Sequence, residues 1–302
     1  MKGTRTLKII GIVVGILVLV IYIGGSIYFA NSMMPVSRTP LDKSMTPEGL
    51  EYEDASFTSR SDSVNLKGWY ILGDTEFTVL IVNGGGNNRV DQGVGTLEIC
   101  GDLIERGYNV LIFDMRGRGE SEGEGLFLTN VEHDIGGAVD YIKSRGTPSE
   151  NIGILGFSLG AISSLIFAAG DDVACVVSDS AFAYVPEAFV RKVPQQFGIP
   201  EIIVRIINPG SFLMAKLVYG YELRNPADMV KDVRCPIFFI QGDKDDLVLI
   251  EDTHKLLEAS GNPSDELWIL PNVGHTQAYK ADPVAYIDKV TAFFEKCSAG
   301  MP

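Results

Sequence analysis

The chain has 302 residues, of which 46% are hydrophobic and 21% are charged, and its formal net charge is −14. This length allows one large α/β domain or two small ones, and the composition is that of a globular protein with a surplus of apolar residues. After the first thirty residues, the sequence has 22 Lys and Arg residues and 39 Asp and Glu residues. This charge excludes nucleic acid as a partner, because the domain would repel phosphate groups.

The surplus of apolar residues lies at the N-terminus of the sequence. Residues 9–30 carry no charge, and as a helix they are long enough to span about 30 Å of hydrocarbon. We therefore expect residues 1–30 to form a transmembrane anchor that meets the lipid bilayer through residues 9–30. Lys2, Arg5 and Lys8 precede the span, which favours a single-pass protein of the cell membrane with its main domain outside the cytoplasm. Arg38 and Lys43, beyond the span, oppose that orientation.

Two other interpretations of this stretch stay open. A cleaved signal peptide usually has an apolar region of about 7–15 residues and small residues at its cleavage site. Here the apolar stretch is longer, and the bulky Tyr28 stands where a small residue is wanted. A buried core helix is disfavoured by Gly11, Gly15 and the pair Gly24-Gly25, which suit a membrane helix better.

The next segment, residues 31–48, holds three prolines and several small polar residues, which is typical of a linker. Residues 49–298 then alternate short apolar runs with amphipathic stretches. Eight runs are predicted to be strands: 50–57, 66–72, 78–83, 109–115, 151–157, 173–180, 236–242 and 266–271. Five stretches are predicted to be helices: 92–106, 130–145, 159–170, 250–260 and 283–297.

Strands that alternate with helices predict an α/β fold with a mostly parallel sheet covered on both faces. The first two strands have no helix between them, so we expect them to pair antiparallel at an edge. Residues 181–225 are too long for a plain connection and contain four prolines in an apolar context, which predicts a helical cap insertion. The last predicted helix shows an apolar face of Val284, Ile287, Val290 and Phe294.

The pattern G-x-S-x-G, typical of a nucleophilic serine, occurs twice, as GESEG at 119–123 and GFSLG at 156–160. Ser121 lies in a glycine-rich loop among Glu120, Glu122 and Glu124, whose charge opposes a developing oxyanion. Ser158 follows an apolar strand and directly precedes an apolar helix, which is the context that a nucleophile elbow requires. We therefore predict Ser158 as the nucleophile and Ser121 as a coincidental match.

A serine nucleophile needs a base, and the chain has three histidines. His133 and His254 lie in charged, helix-like contexts and are interpreted as surface residues. His275 follows the last strand, where its imidazole could reach the carboxyl edge of the sheet, at which sites form in open parallel sheets. The base needs an acidic partner, and three candidates follow the seventh strand: Asp243, Asp245 and Asp246.

Together these residues resemble the α/β-hydrolase superfamily of serine hydrolases, in its esterase and serine-aminopeptidase-like branch. The resemblance extends from about residue 50 to 297. It rests on NGGGNNR after the third strand, FDMRGRGESEGEG after the fourth, GFSLGA at the elbow, GDKDDLV after the seventh strand and VGHT after the eighth. The order Ser, Asp, His is also that of the family. The resemblance implies an eight-stranded α/β-hydrolase fold and an enzyme of the serine hydrolase class.

The resemblance also assigns roles. The pattern G-x-x-D-x-x-V implies that Asp245 is the triad acid, with Asp246 in reserve. The oxyanion hole would be formed by the backbone amides of Gly85 and Leu159. Relatives usually have His-Gly where this chain has Asn83-Gly84, and an Asn side chain can still hold the loop by hydrogen bonding.

The expected reaction is acyl transfer to water through an acyl-enzyme, without metal or organic cofactor. The preferred substrate is a small-molecule carboxylic ester, whereas a short-peptide substrate and a non-catalytic, membrane-tethered binding protein remain alternatives. The apolar residues of the cap favour a hydrophobic substrate group, or simply form a small core of the cap. The four cysteines, Cys100, Cys175, Cys235 and Cys297, lack metal-like spacing and are expected to be small buried residues, although one disulfide stays open outside the cytoplasm.

Overall fold

The structure is a computed structural model that describes residues 2–298. The chain divides into two compact units. The helical unit comprises Met1–Pro35 and Pro186–Leu223, and the sheet unit comprises Val36–Val185 and Arg224–Pro302.

The sheet unit is built on one eight-stranded sheet with the order β1-β2-β4-β3-β5-β6-β7-β8. Strands β3 to β8 run parallel, whereas β2 is antiparallel to both β1 and β4, as expected for the first two strands. Each predicted strand is present within two residues at either end. The strands are β1 (Tyr52–Thr58), β2 (Asn65–Ile71), β3 (Thr78–Val82), β4 (Asn109–Asp114), β5 (Ile152–Phe157), β6 (Cys175–Asp179), β7 (Ile237–Gly242) and β8 (Glu266–Leu270).

Helices cover both faces of this sheet. One face packs on α2 and α10, and the other packs on α3, α4 and α8. The central strands β3 to β7 are buried along their whole length, because each is a run of apolar residues covered on both sides. The helices of the unit are α2 (Thr96–Glu105), α3 (Val131–Ser144), α4 (Leu159–Ala168), α7 (Pro226–Met229), α8 (Ile250–Ser260), α9 (Ala278–Ala281) and α10 (Pro283–Ser298).

Two details differ from the sequence prediction. Helix α2 begins at Thr96 rather than at residue 92, because the Asp91 side chain accepts hydrogen bonds from the Gly93 and Val94 amides and holds a turn there. Val284, predicted on the apolar face of α10, is exposed. It lies in the first turn of that helix, and Tyr286 instead joins the buried face.

The predicted linker, residues 31–48, differs from the structure at its start: residues 31–33 belong to the N-terminal helix, and residues 36–48 form a strap on the surface of the sheet unit. The Val36 amide donates to the Gly125 carbonyl at 2.8 Å, and the Arg38 guanidinium donates to the Gly119 carbonyl at 2.9 Å. The segment is therefore held by hydrogen bonds to loops that are distant in sequence, rather than solvated along its length.

The helical unit contains α1 (Lys2–Met33), α6 (Glu201–Tyr219) and most of α5 (Val185–Phe197). Helices α5 and α6 occupy the segment predicted as a cap. Within residues 2–298, two helical segments are long and apolar enough to cross a membrane by length and composition: Thr6–Met33 and Glu201–Tyr219. Only the first was predicted from the sequence.

The sheet order, the parallel core and the flanking helices make this an α/β-hydrolase fold, and the predicted fold class is confirmed.

Candidate active site

Ser158 occupies a sharp turn between β5 and α4. Its backbone has φ 51° and ψ −116°, a conformation that a residue with a side chain rarely adopts. The turn persists because its neighbours pack closely around it: a Cβ on Gly156 would lie 2.7 Å from the Ala161 Cα, and one on Gly160 would collide with the Val82 carbonyl of β3. The two glycines of GFSLG are thus required by this turn.

His275 reaches Ser158 from the loop between β8 and α9. Its Nε2 lies 2.8 Å from the Ser158 Oγ, within hydrogen-bond distance. Its Nδ1 lies 2.7 Å from the Asp245 Oδ2. The three predicted triad side chains are therefore joined in series, although they come from three different loops at the carboxyl edge of the sheet.

Asp245 is fully buried and fully hydrogen-bonded. Its Oδ1 accepts from the amides of Leu247 at 2.9 Å and Val248 at 2.8 Å, and its Oδ2 accepts from the Gln241 amide group at 3.1 Å as well as contacting His275. A carboxylate held at both oxygens cannot rotate freely. It therefore fixes the orientation of the imidazole that it contacts.

The other candidates lie apart from this chain of hydrogen bonds. Asp243 accepts from the Asn272 amide at 2.5 Å, and Asp246 is exposed. His254 is exposed on α8, and His133 is half-buried on α3. Asp245 is therefore the member of the acidic cluster that contacts His275.

Ser121 is buried in the loop after β4. Its hydroxyl donates to the Asp114 carbonyl at 2.5 Å and accepts from the Lys67 amide at 2.9 Å. Both contacts tie the glycine-rich loop to the sheet, which is a structural use of this serine.

The predicted oxyanion loop lies against the elbow. A Cβ on Gly84 would lie 2.9 Å from the Ser158 Cβ and 3.4 Å from the Leu159 nitrogen. The Leu159 amide is the first of α4, so it has no acceptor within the helix and is available to an anion. Gly85 follows in the left-handed conformation, at φ 55°. Asn83 donates to the Asn88 carbonyl at 2.9 Å and so holds the loop in the way expected for a substitute of histidine.

Arg118, which was not identified from the sequence, holds the same loop by a hydrogen bond. Its Nε donates to the Gly85 carbonyl at 2.8 Å. Burial lowers the pKa of Arg118 to about 10, and the carboxylates of Asp134 and Asp114 offset only part of this effect. A buried cation on a carbonyl next to the site fixes the peptide plane that follows Gly85. The RGRG sequence gave no sign that this arginine points inward.

A second buried carboxylate, Asp179, stands at the end of β6. It accepts from the Ser180 hydroxyl at 2.8 Å and from the Tyr286 hydroxyl at 3.1 Å. The Ser180 hydroxyl in turn accepts from the Thr276 amide at 3.1 Å, directly after His275. The Asp179 carbonyl accepts from the Ser158 amide at 2.8 Å. Asp179 thus supports both the elbow and the histidine loop.

A groove of about 320 Å³ lies in the sheet unit beside the oxyanion loop. It begins at Asn87, whose amide donates to the Gly84 carbonyl at 3.2 Å. Its lining mixes polar and apolar residues and comes from the strap and from the segment before α2: Thr39, Pro40, Asp42, Met45, Asn87, Asn88, Val90, Asp91, Gln92 and Gly93.

Within residues 2–298, no group of three or more His, Cys, Asp and Glu side chains is placed to hold a metal ion. All four cysteines are free. Cys100 and Cys175 are buried as expected, whereas Cys235 and Cys297 are only half-buried.

The fold and the hydrogen-bonded serine, histidine and aspartate define the class as an α/β hydrolase. Residues 102–300 match the prolyl oligopeptidase family, Peptidase_S9. This match covers more than half of the chain, which therefore belongs to the prolyl oligopeptidase family.

Three similar proteins extend the comparison. Protein YfhR of Salmonella typhi is 29% identical over 253 residues, which are 80% of this chain and 80% of that protein. Protein YqkD of Bacillus subtilis is 26% identical over 238 residues, which are 76% of this chain and 75% of that protein. An esterase of Pyrococcus furiosus has a similar structure, with a TM-score of 0.72 and 26% identity over 87% of this chain and 98% of the esterase. These likenesses support a hydrolase of the esterase and peptidase type.

The buried Asp179 predicts a specific pH dependence of stability. Burial raises its pKa from 3.8 to about 6, so between these values the folded protein binds more protons than the unfolded chain. The free energy of unfolding then falls as pH rises through this window. Asp179→Asn removes this carboxyl group, so between pH 4 and pH 7 the free energy of unfolding of wild type should fall by roughly 2 kcal/mol relative to that of the variant. Denaturant unfolding in detergent at several pH values measures the difference.

The matched control is Asp246→Asn, which changes an exposed carboxylate in the neighbouring loop. Its difference from wild type should stay nearly constant over the same pH range. If the difference in the free energy of unfolding between wild type and Asp179→Asn also did not change with pH, a buried titrating carboxyl at this position would be contradicted.

Proposed function

We propose that this protein is a membrane-anchored serine hydrolase that cleaves carboxylic esters through an acyl-enzyme on Ser158. The observation that carries the proposal is the continuous hydrogen-bond chain from Ser158 through His275 to Asp245, on a strained strand–turn–helix elbow. A strained backbone at a hydroxyl that already meets a base is costly, and such strain clusters at functional sites.

The first half of the reaction follows from this geometry. As the Ser158 Oγ attacks the ester carbonyl, its proton passes to the His275 Nε2 at 2.8 Å. Asp245 stabilises the imidazolium through the Nδ1. The Leu159 and Gly85 amides stabilise the oxyanion, for which each donor typically contributes about 2.7–4 kcal/mol. Collapse of the tetrahedral intermediate then expels the alcohol, which takes the proton from His275.

The second half reverses these roles. A water molecule gives its proton to His275 and attacks the acyl-enzyme, the same amides hold the second oxyanion, and the acid leaves as Ser158 regains its proton. No step requires a metal or an organic cofactor.

Ester cleavage is preferred over peptide cleavage because of the similar Pyrococcus furiosus esterase, which this chain matches over 98% of its length. The family match keeps hydrolysis of short peptides as the second candidate, since the prolyl oligopeptidase family is named for a peptidase and one triad can serve both reactions. A non-catalytic, membrane-tethered binding protein is the third, and the intact hydrogen-bond chain argues against it.

The proposed location is the cell membrane. Helix α1 provides a segment from Thr6 to Met33 that is long and apolar enough to span a bilayer. The basic residues before it favour a cytoplasmic N-terminus, with the sheet unit on the outer side.

The two serines of the G-x-S-x-G matches provide the test of function. With nitrophenyl esters, Ser158→Ala should lower the turnover of the full-length protein by roughly 10⁴-fold or more, because the nucleophile is gone. Ser121→Ala should keep most of the activity and lose roughly 1–3 kcal/mol of stability, because the Lys67 amide is left without its acceptor. Aminoacyl nitroanilides in the same assay separate an esterase from a peptidase. Inactivity of Ser121→Ala with full activity of Ser158→Ala would refute the proposal.

The acidic cluster offers a second matched pair. Asp245→Asn should reduce turnover by about 10⁴-fold, because an amide favours the wrong tautomer of His275. Asp246→Asn, one residue away and exposed, should leave turnover nearly unchanged. Initial rates at saturating ester near neutral pH measure both effects, and equal losses in the two variants would rule out Asp245 as the triad acid.

A further inference from the structure

The outer face of α6 carries a stripe of exposed apolar side chains. Ile202, Ile206, Leu213 and Leu217 are between 55% and 69% exposed, and Pro209 is exposed between them. At helical spacing these five residues lie on one side of the helix. A helix on the surface of a globular protein normally turns polar residues outward, so this stripe indicates a partner that is itself apolar.

The side of α6 next to this stripe packs tightly on α1. The backbone at Gly210 approaches α1 so closely that a Cβ there would collide with the Ser26 hydroxyl and lie 2.8 Å from the Tyr22 hydroxyl. Further along, the Tyr219 hydroxyl donates to the Asn31 side chain at 2.8 Å. Small residues at a close helix crossing and a polar bond between helices are typical of helix pairs in membranes.

The position of this contact along α1 fixes its depth. Residues 6–21 of α1 are exposed, and burial begins only at Tyr22. The uncharged run begins at Ile9, and a span needs about 20 apolar residues. The span therefore has to include the part of α1 that contacts α6, which brings Gly210 and its neighbours to the level of the hydrocarbon.

The charges of α6 fit the same position. Arg205 and Lys216 lie together along one edge of the stripe, and Glu201 pairs with Arg205 at 2.7 Å. Such side chains keep their charged ends in the headgroup region while their stems cover apolar surface. Residues 186–223 carry four basic and three acidic residues, in a protein whose formal net charge is −14. Anionic lipids therefore do not repel this segment, whereas they repel the strongly acidic remainder of the protein.

We propose that α6 is a second lipid-facing helix, whose apolar stripe is immersed in the leaflet that surrounds the end of α1. A lipid surface explains the stripe better than a second protein copy. Helix α1 also exposes apolar and aromatic side chains in the part that contacts α6, so both helices present apolar surface there. These side chains are Ile21, Ile23, Ile27 and Tyr28. The inference rests on the membrane anchoring by α1 proposed above.

Photo-crosslinking from the lipid tests this inference on the wild-type chain. The full-length protein is reconstituted into vesicles of phosphatidylcholine and phosphatidylglycerol that contain a phosphatidylcholine with a diazirine on its acyl chain. After irradiation, mass spectrometry of peptides locates the adducts. We expect adducts on residues 9–30 and on the stripe of α6. Val284, an apolar side chain of the sheet unit that is 68% exposed, is the matched control and should give no adduct above background.

Each other outcome is decisive. Adducts on α1 without adducts on α6 would overturn this inference and leave the anchoring intact. Absence of adducts from both helices would refute the anchoring and this inference together, without bearing on the hydrolase chemistry. A stripe without lipid adducts, in a protein whose mass in detergent is that of a dimer, would replace lipid by a second copy of the chain as its partner.

Discussion

The strained turn at Ser158 is the constraint on which the rest of the site depends. A backbone with φ 51° is not stable by itself in a residue with a side chain. It is held by the β6 carbonyl that accepts the Ser158 amide and by the contact of Gly160 with β3. Because the same turn begins α4, it also turns the Leu159 amide outward. One local conformation therefore presents the hydroxyl to His275 and provides a donor for the proposed oxyanion.

Around this turn, three buried charged side chains hold the loops of the site in place by hydrogen bonds. Asp245 fixes the imidazole, Arg118 fixes the Gly85 carbonyl, and Asp179 fixes the backbone on both sides of the hydrogen bond between Ser158 and His275. Each of these groups is removed from water, and each is compensated by hydrogen bonds, since an uncompensated buried charge would be very unfavourable. At Asp179 the hydrogen bonds offset only part of the desolvation, because its pKa is still raised to about 6. The site is thus held more firmly than its loops alone would allow.

Local patterns made much of this predictable from the sequence, and long-range contacts account for the rest. The strands follow from their apolar runs, Ser158 follows from an elbow between a strand and a helix, and His275 follows from the rule that loops at the carboxyl edge converge. The support of Asp179 by Tyr286 could not be predicted, because it joins residues 107 positions apart. The strap looked like a linker for the same reason, since its hydrogen bonds go to loops distant in sequence. Asp179 itself stands at the predicted edge, and a search for polar residues there would have found it.

The central claim, that Ser158 is an activated nucleophile, is tested most directly by locating a covalent adduct. The full-length protein in detergent is treated with a fluorophosphonate, digested, and mapped by mass spectrometry, with the Ser158→Ala variant alongside. The account predicts a single modified serine, Ser158, and no modification in the variant. Modification of Ser121 instead, or a folded wild-type protein that stays unmodified, would contradict it.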